Sequence, residues 1–297
     1  MKIRILGLIH ALIFASVTYA SPKRFLPKLF SEVGFLGRNL AMHVEMFPKD
    51  LSHEASFYTD KKILFIPGGP SSVKSELVDD LGVQEDNVLM CDLAYPEGGD
   101  VEVNADYLEE KIFSAKKRFK FLYYIGEKVN WNFIDSSAQY LGMSDLRERR
   151  ENFNRYMKEL EENNKRFLRD YKEHSDWMIH GDITDLPQEV RAQKYNLIIS
   201  SNLLHLYNHV LDVESHFKAY EQMSSLLAPE GKLLVFPVSN LMGGQDKILE
   251  KVIRKLESQG FKVDLVLSDA PKTNEYYKKL LKLEFKPAFY LRVTAPK

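Results

Sequence analysis

HGDITDLP at residues 180–187, YNLIISSNLLHLY at 195–207 and LLAPEGKLLVFPVS at 226–239 decide the fold. Each contains, or directly follows, a short run rich in leucine, isoleucine or valine that stops at a turn-forming residue. Runs without polar alternation are strands buried on both faces, and such strands belong to parallel sheets covered by helices. Between the second and third of these stretches, Val213 to Leu227 has helical periodicity and stops at Pro229-Glu230-Gly231. Proline and glycine both oppose helix continuation there. Strand, helix and strand in that order imply a right-handed crossover.

Moving outward, the same pattern gives strands at Ile63–Ile66, Asn87–Cys91 and Trp177–His180 before Tyr195–Ser200 and Lys232–Pro237. It gives two more at Lys262–Leu267 and Ala288–Thr294. Helices are expected at Ser75–Leu81, Asp246–Gln259 and around Tyr276–Leu283. The expected fold is α/β, a doubly wound, mostly parallel seven-stranded sheet with an antiparallel C-terminal edge strand. Residues 97–176 exceed what a crossover between the second and third strands requires. Their second half, Ser144 to His174, reads as a long amphipathic helix with apolar positions at Leu146, Phe153, Met157, Leu160, Phe167, Leu168 and Tyr171. The domain at 61–297 therefore carries a helical insertion at about 97–176. Insertions there emerge at the carboxyl edge of the sheet, so a cap over a ligand and a decorative arm are both open. Its aromatics Tyr123, Tyr124, Trp131, Phe133 and Tyr140 fit either an acceptor pocket or the insertion's own core.

Residues 1–20 have the layout of a secretory signal peptide, with Lys2 and Arg4 before an apolar run and a small residue at Ala20. The run is shorter than the roughly 20 residues a membrane span needs. Cleavage after Ala20 would make the product periplasmic or secreted, with no stable membrane anchor; an uncleaved chain would stay cytoplasmic. Residues 21–60 read as a helical preamble. The formal net charge of -1 gives no global case for nucleic acid as a partner. The single cysteine, Cys91, excludes an internal disulfide and a thiolate metal cluster.

Ligands of open α/β sheets sit beyond the strand carboxyl ends, so each end is read for contacts. After strand one comes Phe65-Ile66-Pro67-Gly68-Gly69-Pro70-Ser71, where Gly68 and Gly69 allow close backbone approach. After strand two stands Asp92, a carboxylate suited to ribose hydroxyls or to a turn. Strand three ends in Gly181-Asp182-Ile183, and strand four in Ser200-Ser201-Asn202-Leu203-Leu204-His205-Leu206-Tyr207.

These motifs, from Ile63 to Thr294 with the insertion as an interruption, resemble the class I S-adenosylmethionine-dependent methyltransferases. The resemblance implies S-adenosyl-L-methionine as cofactor. It puts Gly68, Gly69, Ser200, Ser201 and Asn202 near the methionine portion, Asp92 at the ribose, and Leu93, Asp182 and Ile183 around the adenine. His205 and Tyr207 become the candidate catalytic side chains, as a general base or as orienting groups for a small-molecule or protein acceptor. The sequence departs from the family pattern at Phe65, where an acidic residue is usual, and at Pro67 and Ser71, which replace glycines. A non-catalytic exported domain that binds another ligand or a protein is the alternative.

Other chemistries lack their motifs. No Gly-x-Ser-x-Gly elbow, Gly-x-Gly-x-x-Gly loop or HExxH pair occurs. His205 and His209 have helical spacing but no third ligand, so no metal site is expected.

Overall fold

The computed structural model describes residues 38–134, 146–201, 204, 211–236, 238, 247–268 and 289–297; for 118, 119, 121–134, 146–153, 156 and 247 it describes the backbone alone. The expected signal at 1–20, the first part of the preamble and the expected helix Tyr276–Leu283 lie outside the described residues, as do Tyr140 and the side chains of Tyr123, Tyr124, Trp131 and Phe133.

Seven strands form one sheet: β1 Ile63–Phe65, β2 Val88–Asp92, β3 Met178–His180, β4 Tyr195–Ser201, β5 Leu227–Phe236, β6 Lys262–Leu267 and β7 Phe289–Thr294. Their order is β3-β2-β1-β4-β5-β7-β6. All pairs are parallel except the two made by β7. This is the sheet that the resemblance implies. The C-terminal strand is antiparallel as expected, but it lies one place in from the rim, between β5 and β6. Burial explains the order: Tyr290, Leu291 and Val293 of β7 are covered on both faces, whereas Leu265 and Leu267 of β6 stay half exposed.

The helices are α1 Leu40–Met46, α2 Val73–Ser75 (continuing as a π-wound turn, Glu76–Asp80), α3 Val101–Ile134, α4 Leu146–Glu173, α5 Gln188–Arg191, α6 Val213–Ser225 and α7 Lys247–Ser258. Helix α6 stops two residues before the expected end, because Leu227 already pairs with Tyr195 in the sheet. The Pro229-Glu230-Gly231 break is therefore a bulge inside β5, with Glu230 at φ 58. A side chain on Gly231 would meet the Tyr195 carbonyl at 2.7 Å, so the bulge requires glycine.

Successive strand residues serve opposite faces. On one face Phe65, Met90, Leu197 and Ile199 pack with α1 and with Leu108, Phe167 and Tyr171 of the insertion. On the other, Leu64, Cys91 and Ile198 pack with Tyr220 and Met223 of α6 and Val252 and Leu256 of α7. Each large apolar side chain so buried contributes about 1.5–3 kcal/mol. Helices α3 and α4 form an antiparallel pair, tied by Lys116–Glu161 at 2.5 Å and Lys172–Glu102 at 2.8 Å. The C-terminal half of α4 belongs to the core. Phe167 is fully buried and stacks on Tyr95, and Arg166 bonds Ser75 at 2.7 Å and Asp80 at 2.8 and 3.1 Å.

The described part of the preamble, from residue 38 on, lies on the same face. Phe47 meets Tyr290 edge-on at 5.1 Å. Asp50 has no exposed side-chain surface and accepts hydrogen bonds from Lys232 at 2.8 Å, Tyr290 at 2.6 Å and Arg292 at 3.2 Å. Burial alone would raise the Asp50 pKa. The Lys232 and Tyr290 hydrogen bonds and the Lys232 and Arg292 charges outweigh it and hold the carboxyl below its ordinary value. A carboxyl depressed on folding stabilises the fold above its unfolded pKa of about 3.9 and stops doing so as pH falls through the folded value. Asp50→Asn is expected to cost about 2 kcal/mol at pH 7 in urea unfolding, less than a fully buried pair because Lys232 and Arg292 stay partly in water. The gap between wild type and variant should close in the acid range below pH 4; a gap that widens there would contradict the assignment.

Candidate functional site

The strand order reverses direction between β1 and β4, and ligands of such sheets occupy the crevice beyond that point. The Gly68-Gly69 turn leaves β1 there. Gly68 donates its N–H to the Cys91 carbonyl at 2.8 Å, extending the ladder, and Gly69 donates to Asp92 Oδ2 at 2.7 Å. Gly69 has φ +58, a left-handed conformation suited to glycine. The Tyr95 hydroxyl donates to the Gly69 carbonyl at 2.6 Å. It lies so near that a Cβ on Gly68 would meet it at 2.4 Å. Asp92 Oδ1 accepts from Ala94 N–H at 2.8 Å. Burial raises the Asp92 pKa, against the opposing pull of the Ala94 and Gly69 N–H groups and the charge of Arg38. A carboxylate has about four lone-pair positions, so each oxygen keeps room for a second donor.

On the β4 side the crevice is built by residues distant in sequence. Arg38 is buried and donates to the Ser201 carbonyl at 3.1 Å and to Ser201 Oγ at 2.6 Å. Its own carbonyl accepts from Ser71 Oγ, Ser72 Oγ and Ser72 N–H at 3.0–3.2 Å, which laces residue 38 to the turn after β1. Ser201 Oγ faces His43 Nε2 at 3.4 Å. His43 Nδ1 lies 2.9 Å from the Asn39 carbonyl, an acceptor only, so Nδ1 carries the proton and Nε2 is the acceptor. Burial, with help from the Arg38 charge, lowers the His43 pKa to about 4, against the Asn39 hydrogen bond. The imidazole is therefore neutral at pH 7. Phe65 meets it edge-on at 5.3 Å, so an apolar wall stands where the family pattern has an acid.

On the β3 side His180 stands beside Asp92, its register partner. Its Nδ1 lies 2.6 Å from the Tyr95 carbonyl. Gly181 packs so tightly that a Cβ would meet Cys91 Sγ and Pro187 Cδ at 2.7 Å each. Asp182 Oδ1 accepts from Thr184 N–H and Oγ1, both at 2.8 Å, and the Asp182 carbonyl accepts from Asp185 N–H at 2.9 Å to close a turn.

Of the residues singled out in the sequence, Gly68, Gly69 and Asp92 come together, and Asp182 stands at the end of the strand beside Asp92. Leu93 is 60% exposed on the rim, whereas Ile183 turns into the core beside Leu186. Ser200 is buried on the opposite sheet face from Ser201, and its hydroxyl has no partner among the described residues. Asn202, His205 and Tyr207 lie outside the described residues. Sequence reasoning missed Arg38, His43, Tyr95 and His180. Strand alternation could have favoured Ser201 over Ser200, but no local pattern connects residue 38 with residue 201. Among the described residues, no group of three or more His, Cys, Asp or Glu side chains could hold a metal ion, and no helix is long and apolar enough to cross a membrane.

The tight approach of Tyr95 gives a coupled pair. Gly68→Ala should lower stability by about 2 kcal/mol in the wild-type background, the scale of an overpacked site. It should cost clearly less in Tyr95→Phe, which lacks the oxygen that the new methyl would strike. Strict additivity in a urea-unfolding double-mutant cycle would refute the contact.

No family model and no curated protein matches the chain. Among solved structures it is similar to the N-methyltransferase NodS from Bradyrhizobium japonicum WM9, with 13% identity over 45% of this chain and 69% of NodS and a TM-score of 0.29. It is also similar to an O-methyltransferase family protein from Burkholderia thailandensis, at 9% identity, 46% of this chain, 41% of that one and a TM-score of 0.30. A third is magnesium protoporphyrin IX methyltransferase (ChlM) from Synechocystis PCC 6803 with bound SAM, at 18% identity, 40% of this chain, 45% of that one and a TM-score of 0.26. The chain thus spans less than half the length of the latter two.

Proposed function

We propose that the crevice binds S-adenosyl-L-methionine and that the protein transfers its methyl group to a small-molecule or protein acceptor. The observation that carries this reading is the Gly69–Asp92 hydrogen bond at 2.7 Å, with Arg38 on its other flank. It gives one crevice a close-approach turn, a fixed carboxylate and a fixed cation. Asp92 would receive ribose hydroxyls, Leu93 and Asp182 would border the adenine, and the Arg38 guanidinium would face the methionyl carboxylate. When bound, the cofactor supplies an electrophilic methyl group. The protein's share is alignment and exclusion of water, for which a dedicated base is not required.

Binding without transfer is the second reading, and Phe65 favours it, since an aromatic ring cannot hold the cofactor's amino group as an acid would. Cofactor and product separate the two. S-adenosylmethionine is a sulfonium cation and S-adenosylhomocysteine is neutral at sulfur, and only a site that admits the charged form can transfer its methyl group.

Calorimetry on the full chain is expected to show saturable binding of both ligands below millimolar concentration. Asp92→Ala and Asp182→Ala should each weaken it by about 1–3 kcal/mol. Arg38→Met should weaken S-adenosylhomocysteine but spare 5′-methylthioadenosine, which lacks the carboxylate. No heat with either cofactor form at millimolar concentration would sink the proposal. Binding of S-adenosylhomocysteine alone would favour the second reading.

A further inference from the structure

We propose that His180 works with Asp92 to read the two hydroxyls of a ribose, so that the site selects ligands with free 2′- and 3′-hydroxyls; this rests on the adenosyl-cofactor reading above. In the parallel register of β2 and β3, Asp92 is paired with His180. Paired residues of neighbouring strands project from the same face, with the strands about 4.8 Å apart. The Gly181 N–H, donating to the Asp92 carbonyl at 3.2 Å, continues the ladder one residue further. Both side chains therefore stand side by side at the carboxyl edge, and both are only partly buried.

The chemistry of each is set by its backbone partner. His180 Nδ1 lies 2.6 Å from the Tyr95 carbonyl, which can only accept, so Nδ1 carries a proton, and the neutral tautomer that this fixes has Nε2 as its acceptor. Asp92 is drawn toward β1 by the Gly69 N–H and held from below by the Ala94 N–H. Its remaining lone pairs and His180 Nε2 make a row of acceptors on two strands. A vicinal diol brings two donors at matching spacing, and one carboxylate pulled to the β1 side is poorly placed to take both. Asp92 takes the hydroxyl nearer β1, and His180 Nε2 takes the one nearer β3. The same row repels a phosphate on either hydroxyl, because a carboxylate and an imidazole lone pair offer it no donor. The site therefore reads an unmodified ribonucleoside. His180 is a specificity residue here, distinct from the turn carboxylate that the sequence motif announces.

The test is calorimetry on the full chain with S-adenosylhomocysteine and its 2′-deoxy and 3′-deoxy analogues. Wild type should lose about tenfold in affinity for the analogue lacking the hydroxyl that His180 accepts, the scale of one unmade hydrogen bond. His180→Phe should weaken S-adenosylhomocysteine by the same factor and leave that analogue unchanged. His180→Gln, which keeps an acceptor oxygen, should retain most of the preference. Equal weakening of all three ligands by His180→Phe would assign the histidine to structure alone and overturn the inference. Wild type binding both analogues as tightly as S-adenosylhomocysteine would overturn it without any variant, even if the phenylalanine form does not fold. Failure of wild type to bind S-adenosylhomocysteine at all is a different result: it removes the cofactor reading, and this inference with it.

Discussion

The hydrogen bond from Gly69 N–H to Asp92 Oδ2 organises the functional end of this molecule. It joins the turn after β1 to the end of β2, so neither loop can move without the other. It is possible only because Gly69 is left-handed and Gly68 has no side chain to meet Tyr95. The Tyr95 hydroxyl then closes the back of the same turn, and its ring carries the contact on to Phe167 of α4. Through this chain of contacts the insertion is packed into the wall of the crevice.

The segment from Arg38 to Asp50 makes the second connection. It is held at one end by Arg38 on Ser201 and at the other by Asp50 on Lys232, Tyr290 and Arg292. Burying a guanidinium and a carboxylate is costly in low dielectric, and each is tolerated because several hydrogen bonds are aimed at it. Between them α1 places His43 against Phe65 and Phe47 against Tyr290. Residues that read in the sequence as a preamble thus supply one wall of the crevice and part of the core.

Strands were legible because burial on both faces leaves an uninterrupted apolar run, as in Leu197-Ile198-Ile199. What was not legible has a physical origin in each case. The order of β6 and β7 depends on which of two similar apolar strands is covered on both sides, a tertiary property. The early start of β5 depends on a bulge that hides the pairing of Leu227 with Tyr195. Helix α3 escaped notice because apolar residues surround much of it, for example Phe119, Phe121, Leu122 and Tyr124, leaving no clean stripe. In the site, motif reading found the turn glycines and the two aspartates, which sit at strand ends. It did not find Arg38 or His43, which reach the crevice from another element, nor did it separate Ser201 from Ser200, whose alternation puts them on opposite faces. His180 was in plain view beside Gly181-Asp182, but its tautomer follows from the Tyr95 carbonyl, which only the fold brings near.

Phe65 bears differently on binding and on chemistry. In the proposed function, an acid at the end of β1 would stabilise a bound cation before reaction. With Phe65 and neutral His43 on that side, and the fixed positive charge of Arg38 nearby, the crevice gives a sulfonium little electrostatic support. Methyl transfer discharges that cation, so an environment unfavourable to the charge favours its loss over its retention. Catalysis depends on this difference between bound state and transition state, not on tight binding of the former. Under that proposal, an apolar wall in place of the acid would weaken affinity for the charged cofactor without by itself raising the barrier to its discharge. The departure from the family pattern at residue 65 is thus an argument about affinity, and it bears on transfer only through affinity.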